Sequence, residues 1–261
     1  MIGTARRVVL AALLLAAVVV PTLLALARYP RWWEWIAPEQ TPMTWFQSVV
    51  LVVAAVVSGL AWYVSRLTAR RPRLGFALLA VGFAALAFDE RFAIHERVRD
   101  GYLAPRDVRL PLLTWVGPGD FLILALALVG LALLPLVLRS LGRDRQALTH
   151  LVVGVLLAVI AVGMDSIDPS TWSVEAERVQ QTLEECIEFW AGLNFLGAVT
   201  VSLLALLGGL TTPAPAVEAE VAHASPSGRR SASSPLTPAV FLERNRRLGP
   251  TDSGGATERV T

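Results

Sequence analysis

The run Leu74-Gly75-Phe76-Ala77-Leu78-Leu79-Ala80-Val81-Gly82-Phe83-Ala84-Ala85-Leu86-Ala87-Phe88 leads without interruption into Asp89-Glu90-Arg91-Phe92-Ala93-Ile94-His95-Glu96-Arg97. An apolar run of this kind reads as a membrane helix. The groups that follow it, able to bind a metal or move a proton, stand where that helix should be ending. A second acidic block, Glu184-Glu185-Cys186-Ile187-Glu188, opens another apolar run. The two blocks are expected to meet near one membrane surface and to form the working site.

Composition supports the membrane reading. Of 261 residues, 54% are hydrophobic and 17% are charged, against about 25% charged in a soluble domain. The mean hydropathy is +0.56. Several runs of about 20 apolar residues are long enough to cross a roughly 30 Å hydrocarbon layer. The expected fold is therefore all-α, a polytopic helical bundle with six transmembrane helices. The basic residues are all arginine and are spread over loops and tail, which gives nucleic acid no focus. The single Cys186 excludes an intrachain disulfide and a multi-cysteine metal site.

The spans are expected at about 8–27, 45–64, 74–93, 120–138, 148–164 and 183–210. The first resembles a signal peptide, with Arg6 and Arg7 ahead of it and Ala25-Leu26-Ala27 at its end. Its apolar run exceeds the usual 7–15 residues of such a core, which favours a retained helix. Asp100-Gly101 gives a natural stop for the third helix. Ser173 is a reasonable N-cap for the last helix, with Glu175 and Glu177 in its first turn. That helix is long enough to project from the membrane or to bend, and Gly192 and Gly197 are candidate bend points. From residue 211 to 261 the chain is rich in Pro, Ser, Ala and Gly and reads as a disordered tail.

Six spans place both termini on one side. Arg6, Arg7, Arg66, Arg70, Arg71, Arg73, Arg139, Arg143 and Arg145 lie on that side, against Arg28, Arg31, Arg97, Arg99, Arg106, Arg109 and Arg178 on the other, a modest bias that makes the first side cytoplasmic by the positive-inside rule. The expectation is thus a multi-pass protein of the cell membrane with membrane lipids as partners. The acidic blocks then face outward, beside an aromatic belt of Trp32, Trp33, Trp35, Trp45, Trp115 and Trp172.

This topology brings Asp89, Glu90, His95, Glu96, Asp165, Asp168, Glu184, Glu185 and Glu188 to similar depth. Charges within spans are costly and face the bundle interior or a wet cavity. At about 100° per residue, Asp89 and Glu96 share a helix face, roughly 10 Å apart along the axis; Glu90 and His95 point elsewhere. Glu177, Gln181, Glu184 and Glu188 form one stripe on the last helix, with Glu185 beside it. Protons, arginines or a divalent cation must compensate such a cluster. Carboxylates with one imidazole suit zinc, iron or manganese. The expected ligands are Asp89, His95, Glu96, Asp165, Glu184 and Glu188, and the expected catalytic groups are Asp89, Glu96 and Glu188.

Plainer readings stand beside these. His95 and Glu96 fit an interfacial helix end with ion pairs to Arg91 or Arg99. Asp165 and Asp168 fit loop and capping residues before Pro169. Glu175 and Glu177 fit first-turn charges, Cys186 a small packing residue, and Asn194 an interhelical hydrogen-bonding group.

The pattern Asp89-Glu90-x4-His95-Glu96 resembles a group of bacterial multispan membrane proteins that read SLDExxxIHE. Their last span opens on an EExxE block, matched here by Glu184, Glu185 and Glu188. This chain has Ala87-Phe88 where the group has Ser-Leu. The resemblance implies architecture and a site, and no particular reaction. A more distant analogy is to the alkaline ceramidase-like membrane hydrolases, in which three histidines hold zinc. Only His95 matches here, a departure that points away from zinc-amidase chemistry. The expected function is a divalent-metal-dependent hydrolase acting on a lipid or amphiphile. The alternatives are a proton- or metal-coupled transporter and a non-enzymatic sensor or assembly protein.

Overall fold

The computed structural model describes residues 2–68, 74–111, 116–119, 121–167 and 172–211. The described residues contain helices and no strand. The helices are α1 (Ile2–Ala27), α2 (Pro42–Thr68), α3 (Leu74–Phe92), α4 (Ile94–Val98), α5 (Phe121–Leu141), α6 (Arg145–Asp165) and α7 (Val174–Thr211). A π turn at Arg99–Leu103 and a short 3-10 turn at Ala104–Arg106 follow α4. The expected tail beyond Thr211, which itself ends α7, lies outside the described residues, as do Asp168 and Trp115.

Five helices are long and apolar enough to cross a membrane: α1, α2, α5, α6 and α7. Six such helices were expected. The difference is α3, whose 19 residues end in Asp89, Glu90 and Arg91, so that its apolar run stops at Phe88. Outward-facing apolar side chains such as Leu14, Val81 and Leu128 are exposed on the bundle, as lipid-facing residues are.

The long α7 is the centre of the bundle and packs against α1, α2 and α6, while α2 also packs closely along α3. Close approach comes from small residues, the usual device between helices in lipid. On α2 the buried positions Thr44, Gln47, Ser48, Ala54, Ser58, Ala61 and Ser65 form a single small and polar stripe. At Gly75 a Cβ would lie 2.5 Å from the Leu136 carbonyl oxygen on α5. At Gly154 it would lie 2.8 Å from the Phe195 ring on α7. Helix α7 runs without a break over 38 residues, through Gly192 and Gly197. These glycines admit Val50 and His150 against its surface.

The bundle has two distinct ends. At the end holding the N-terminus, Arg6 forms a 2.6 Å ion pair with Asp144. Asp144 also caps α6 by accepting from the amides of Gln146 and Ala147. The other end carries the loop between α1 and α2, α4 with its following turns, the end of α6 and the start of α7. There Arg178 lies 4.2 Å over the Trp33 ring, and Gln180 Nε2 donates to the Met164 carbonyl at 3.1 Å. Ser173 caps α7 as expected, its hydroxyl accepting from the Ala176 amide at 3.3 Å.

Candidate functional site

The acidic end encloses a cavity of about 390 Å³. Its walls include Glu39 from the α1–α2 loop, Glu96 and Arg99 from α4 and its following turn, Asp165 from the end of α6, and Gln181, Glu184 and Glu185 from α7.

Beside it, Glu90 of α3 meets Glu185 and Glu188 of α7, with one carboxylate oxygen from each within 4.8 Å of the others. Glu185 is 5% exposed, and Gln47 from the α2 stripe is 4% exposed. Gln47 Nε2 donates to the Glu185 backbone carbonyl at 2.9 Å. Gln47 Oε1 and Glu185 Oε2 are buried without a geometric hydrogen-bond partner, although the Glu185 carboxyl lies close to the Gln47 and Glu39 side chains. Buried acceptors without partners cost roughly 1–3 kcal/mol each. Two of them beside converging carboxylates form a site with a deficit of positive charge. A cation or protons would supply it.

The opening motif is arranged differently from a continuous helix. Helix α3 stops at Phe92, because Ala93 takes a left-handed conformation at φ 47°. The chain restarts as α4, and the turn folds His95 back onto Asp89. The His95 amide donates to Asp89 Oδ1 at 2.9 Å, and His95 Nδ1 lies 2.7 Å from Asp89 Oδ2. The expected shared face of Asp89 and Glu96 is therefore lost, and so is the expected stop at Asp100-Gly101. Burial pulls the His95 imidazole down, but the Asp89 hydrogen bond and charge outweigh it and hold the pKa above its ordinary value.

Glu96 accepts from Arg99 at 3.3 Å, the ion pair of the plainer reading. Gly119, at φ +92°, lets the following loop close onto that arginine, since a Cβ there would meet Arg99 Cγ at 2.8 Å. Burial raises the Glu96 carboxyl, with Asp100 and Asp165 adding to the rise and Arg99 and His95 opposing it. Glu39 lines the cavity and is exposed, yet it stands among other carboxylates. Enclosure and the Glu96 charge lift it to about 7, with His95 opposing.

Of the residues expected as ligands, Glu188 belongs to the converging trio and Asp89 is bonded to His95. Asp165 and Glu184 line the cavity, and Glu184 accepts from Gln180 at 2.7 Å. Glu90, Glu185, Gln47 and Glu39 were not among them. On continuous helices Glu90 and Glu185 fall off the faces that carry Asp89 and Glu188. Gln47 could have been found from the polar spacing along α2. Glu39 is a single acid in a Trp- and Pro-rich loop and carries no signal in the sequence. Cys186 is buried with Met43 and Phe189 as a packing residue, and Glu175 pairs with Arg178 on the exposed first turn.

Fold and site together define an all-helical membrane protein with a carboxylate-lined cavity at one end of its bundle. The chain belongs to the family described as domain of unknown function DUF8692, which matches residues 4–206. No curated protein and no solved structure matches it.

Proposed function

We propose that this chain is a six-crossing membrane protein whose carboxylate cavity holds a divalent cation and hydrolyses a lipid or other amphiphile. The observation that carries the reading is the convergence of Glu90, Glu185 and Glu188 beside the unpartnered Gln47 Oε1 and Glu185 Oε2. Carboxylate and amide oxygens suit hard cations, and manganese is the best suited of zinc, iron and manganese to such a set. A divalent metal with an open position lowers the pKa of a bound water and polarises a carbonyl or phosphoryl oxygen.

The protein's own groups supply the rest. Asp89 orients His95 through Nδ1, which leaves Nε2 to take up or deliver a proton. Glu96 and Glu39 line the approach, and Arg99 is the cation beside it. Helix α2 ends near the terminal end and α5 starts near the acidic end. Helix α3 joins the two and, at about 1.5 Å per residue, is close to 28 Å long, which supports a sixth crossing. With both termini cytoplasmic by arginine distribution, the cavity opens outward, where a lipid of the outer leaflet can reach it.

The test is metal content by mass spectrometry on detergent-purified protein, with Glu185→Gln and Glu188→Gln beside the wild type. It is followed by hydrolysis assays on ester, amide and phosphoester amphiphiles with and without manganese. Bound metal that disappears in both variants, with metal-dependent turnover, is the expected result. Equal metal content in wild type and variants sinks the reading. Metal binding with proteoliposome flux and no hydrolysis would replace it with a carrier.

A further inference from the structure

A second cavity, of about 380 Å³, opens between α1, α6 and α7, remote from the carboxylates. Its walls are aliphatic, among them Leu10, Leu14, Val18 and Leu157, apart from three side chains: His150, Trp190 and Asn194. The volume falls in the lower part of the roughly 300–1,000 Å³ range of small-molecule sites.

The hydrogen bonds around these three side chains fix what the cavity can offer. Asn194 Nδ2 donates to the Trp190 carbonyl at 2.9 Å, so Asn194 presents Oδ1 on its other side. His150 Nδ1 lies 3.0 Å from that Oδ1. An amide oxygen only accepts, so Nδ1 must carry the imidazole proton. The Trp190 indole N–H is also spent, donating to the Ala17 carbonyl at 2.9 Å. In the neutral ring, then, Nε2 carries a bare lone pair. Gly197 holds this arrangement open, because a Cβ there would come within 3.3 Å of His150 Cγ and Nδ1.

His150 stands five residues inside α6, about 8 Å from its start. That depth suits the polar tip of an amphiphile whose chain lies along the aliphatic wall. An ionised phosphate or carboxylate has no proton to give to Nε2, whereas a hydroxyl has one. We infer that this cleft binds a neutral amphiphile through its hydroxyl group, which donates to His150 Nε2. None of these residues lines the carboxylate cavity, so the inference stands or falls separately from the proposed hydrolysis.

The probe is a diazirine-bearing hexadecanol, compared with its methyl ether, which lacks the donor. Each is photolysed with full-length protein in detergent, and the labelled peptides are quantified by mass spectrometry. The alcohol should label the α1 and α7 cleft peptides roughly threefold to tenfold more than the ether, the value of one net hydrogen bond. His150→Phe should erase that preference. Leu13→Trp, which fills the cleft, should reduce labelling by both probes. Equal labelling by alcohol and ether in the wild type overturns the inference. So does a preference that survives His150→Phe, or labelling undiminished in Leu13→Trp.

Discussion

His95 is bound to Asp89 twice, through its amide at 2.9 Å and its ring Nδ1 at 2.7 Å, although the two residues would face different ways on a continuous helix. The pairing depends on one backbone conformation. Ala93, 3% exposed and at φ 47°, ends α3 and turns the chain back on itself.

A left-handed alanine costs roughly 1–2 kcal/mol, and glycine escapes that cost. Ala93→Gly should therefore leave the fold intact and raise thermal stability in detergent by up to about 1 kcal/mol. Ala93→Val should lower it by more than that and should change the His95 titration seen by NMR. If valine is tolerated with the His95 signal unmoved, the turn does not position the pair.

The cavity should make the metal-free protein sensitive to alkali. Glu39 has an ordinary value of 4.5 and is raised to about 7 in the fold. A raised carboxyl favours the folded state while it is protonated. Its contribution is complete below 4.5 and is lost as pH climbs through about 7. His95, also raised, acts in the same direction, losing its stabilising charge as pH rises. Unfolding temperatures measured with chelator between pH 5 and 8 should fall with rising pH, and Glu39→Gln should flatten the slope. An unchanged slope would remove Glu39 from the account.

Cation addition should reverse the effect. A ligand present at a hundred times its Kd stabilises by roughly 2.7 kcal/mol, so manganese should raise the unfolding temperature of the wild type at pH 8. Glu90→Gln, Glu185→Gln and Glu188→Gln should each abolish that increment. Each should also stabilise the metal-free protein, because one of several mutually repelling carboxylates has been removed. Metal-induced stabilisation that persists in all three variants would place the cation elsewhere.

Helix packing gives a prediction independent of the site. Gly75→Ala forces a methyl group against the Leu136 carbonyl and Ser140, and should cost roughly 1–3 kcal/mol as overpacking does. Gly130 has nothing within 4 Å of its Cβ position. Gly130→Ala should be neutral or stabilise by up to about 1 kcal/mol. Paired melting curves in one detergent decide the matter.

The membrane helices were legible because long apolar runs leave few alternatives, and Ser173 because a hydroxyl ahead of an acidic first turn has a local meaning. The candidate site was legible only as the placement of two acidic blocks at one end of the bundle. Its inner pairing was not, for two reasons. Alanine carries no signal for a left-handed turn, so the faces after Phe92 were assigned to a helix that does not continue. On α7, Glu184 and Glu185 differ by 100° of rotation, and only packing against α2 decides that Glu185 is the one held against Gln47.

The meeting of Glu90 with Glu185 and Glu188 bears on biogenesis. Helix α3 ends its apolar run at Phe88 and then presents three charges, a weak signal for insertion by itself, where a span usually needs about 20 apolar residues. It packs closely along α2, so we expect the two to enter the bilayer as one hairpin. A topology reporter fused after Gly101 should read the outer side in the intact chain and lose that position when α2 is replaced by an unrelated apolar segment. Glu90 would then wait, uncompensated, while α5 and α6 are made. Only α7 brings Glu185 and Glu188 to it, so the surroundings of Glu90 are complete when α7 has packed.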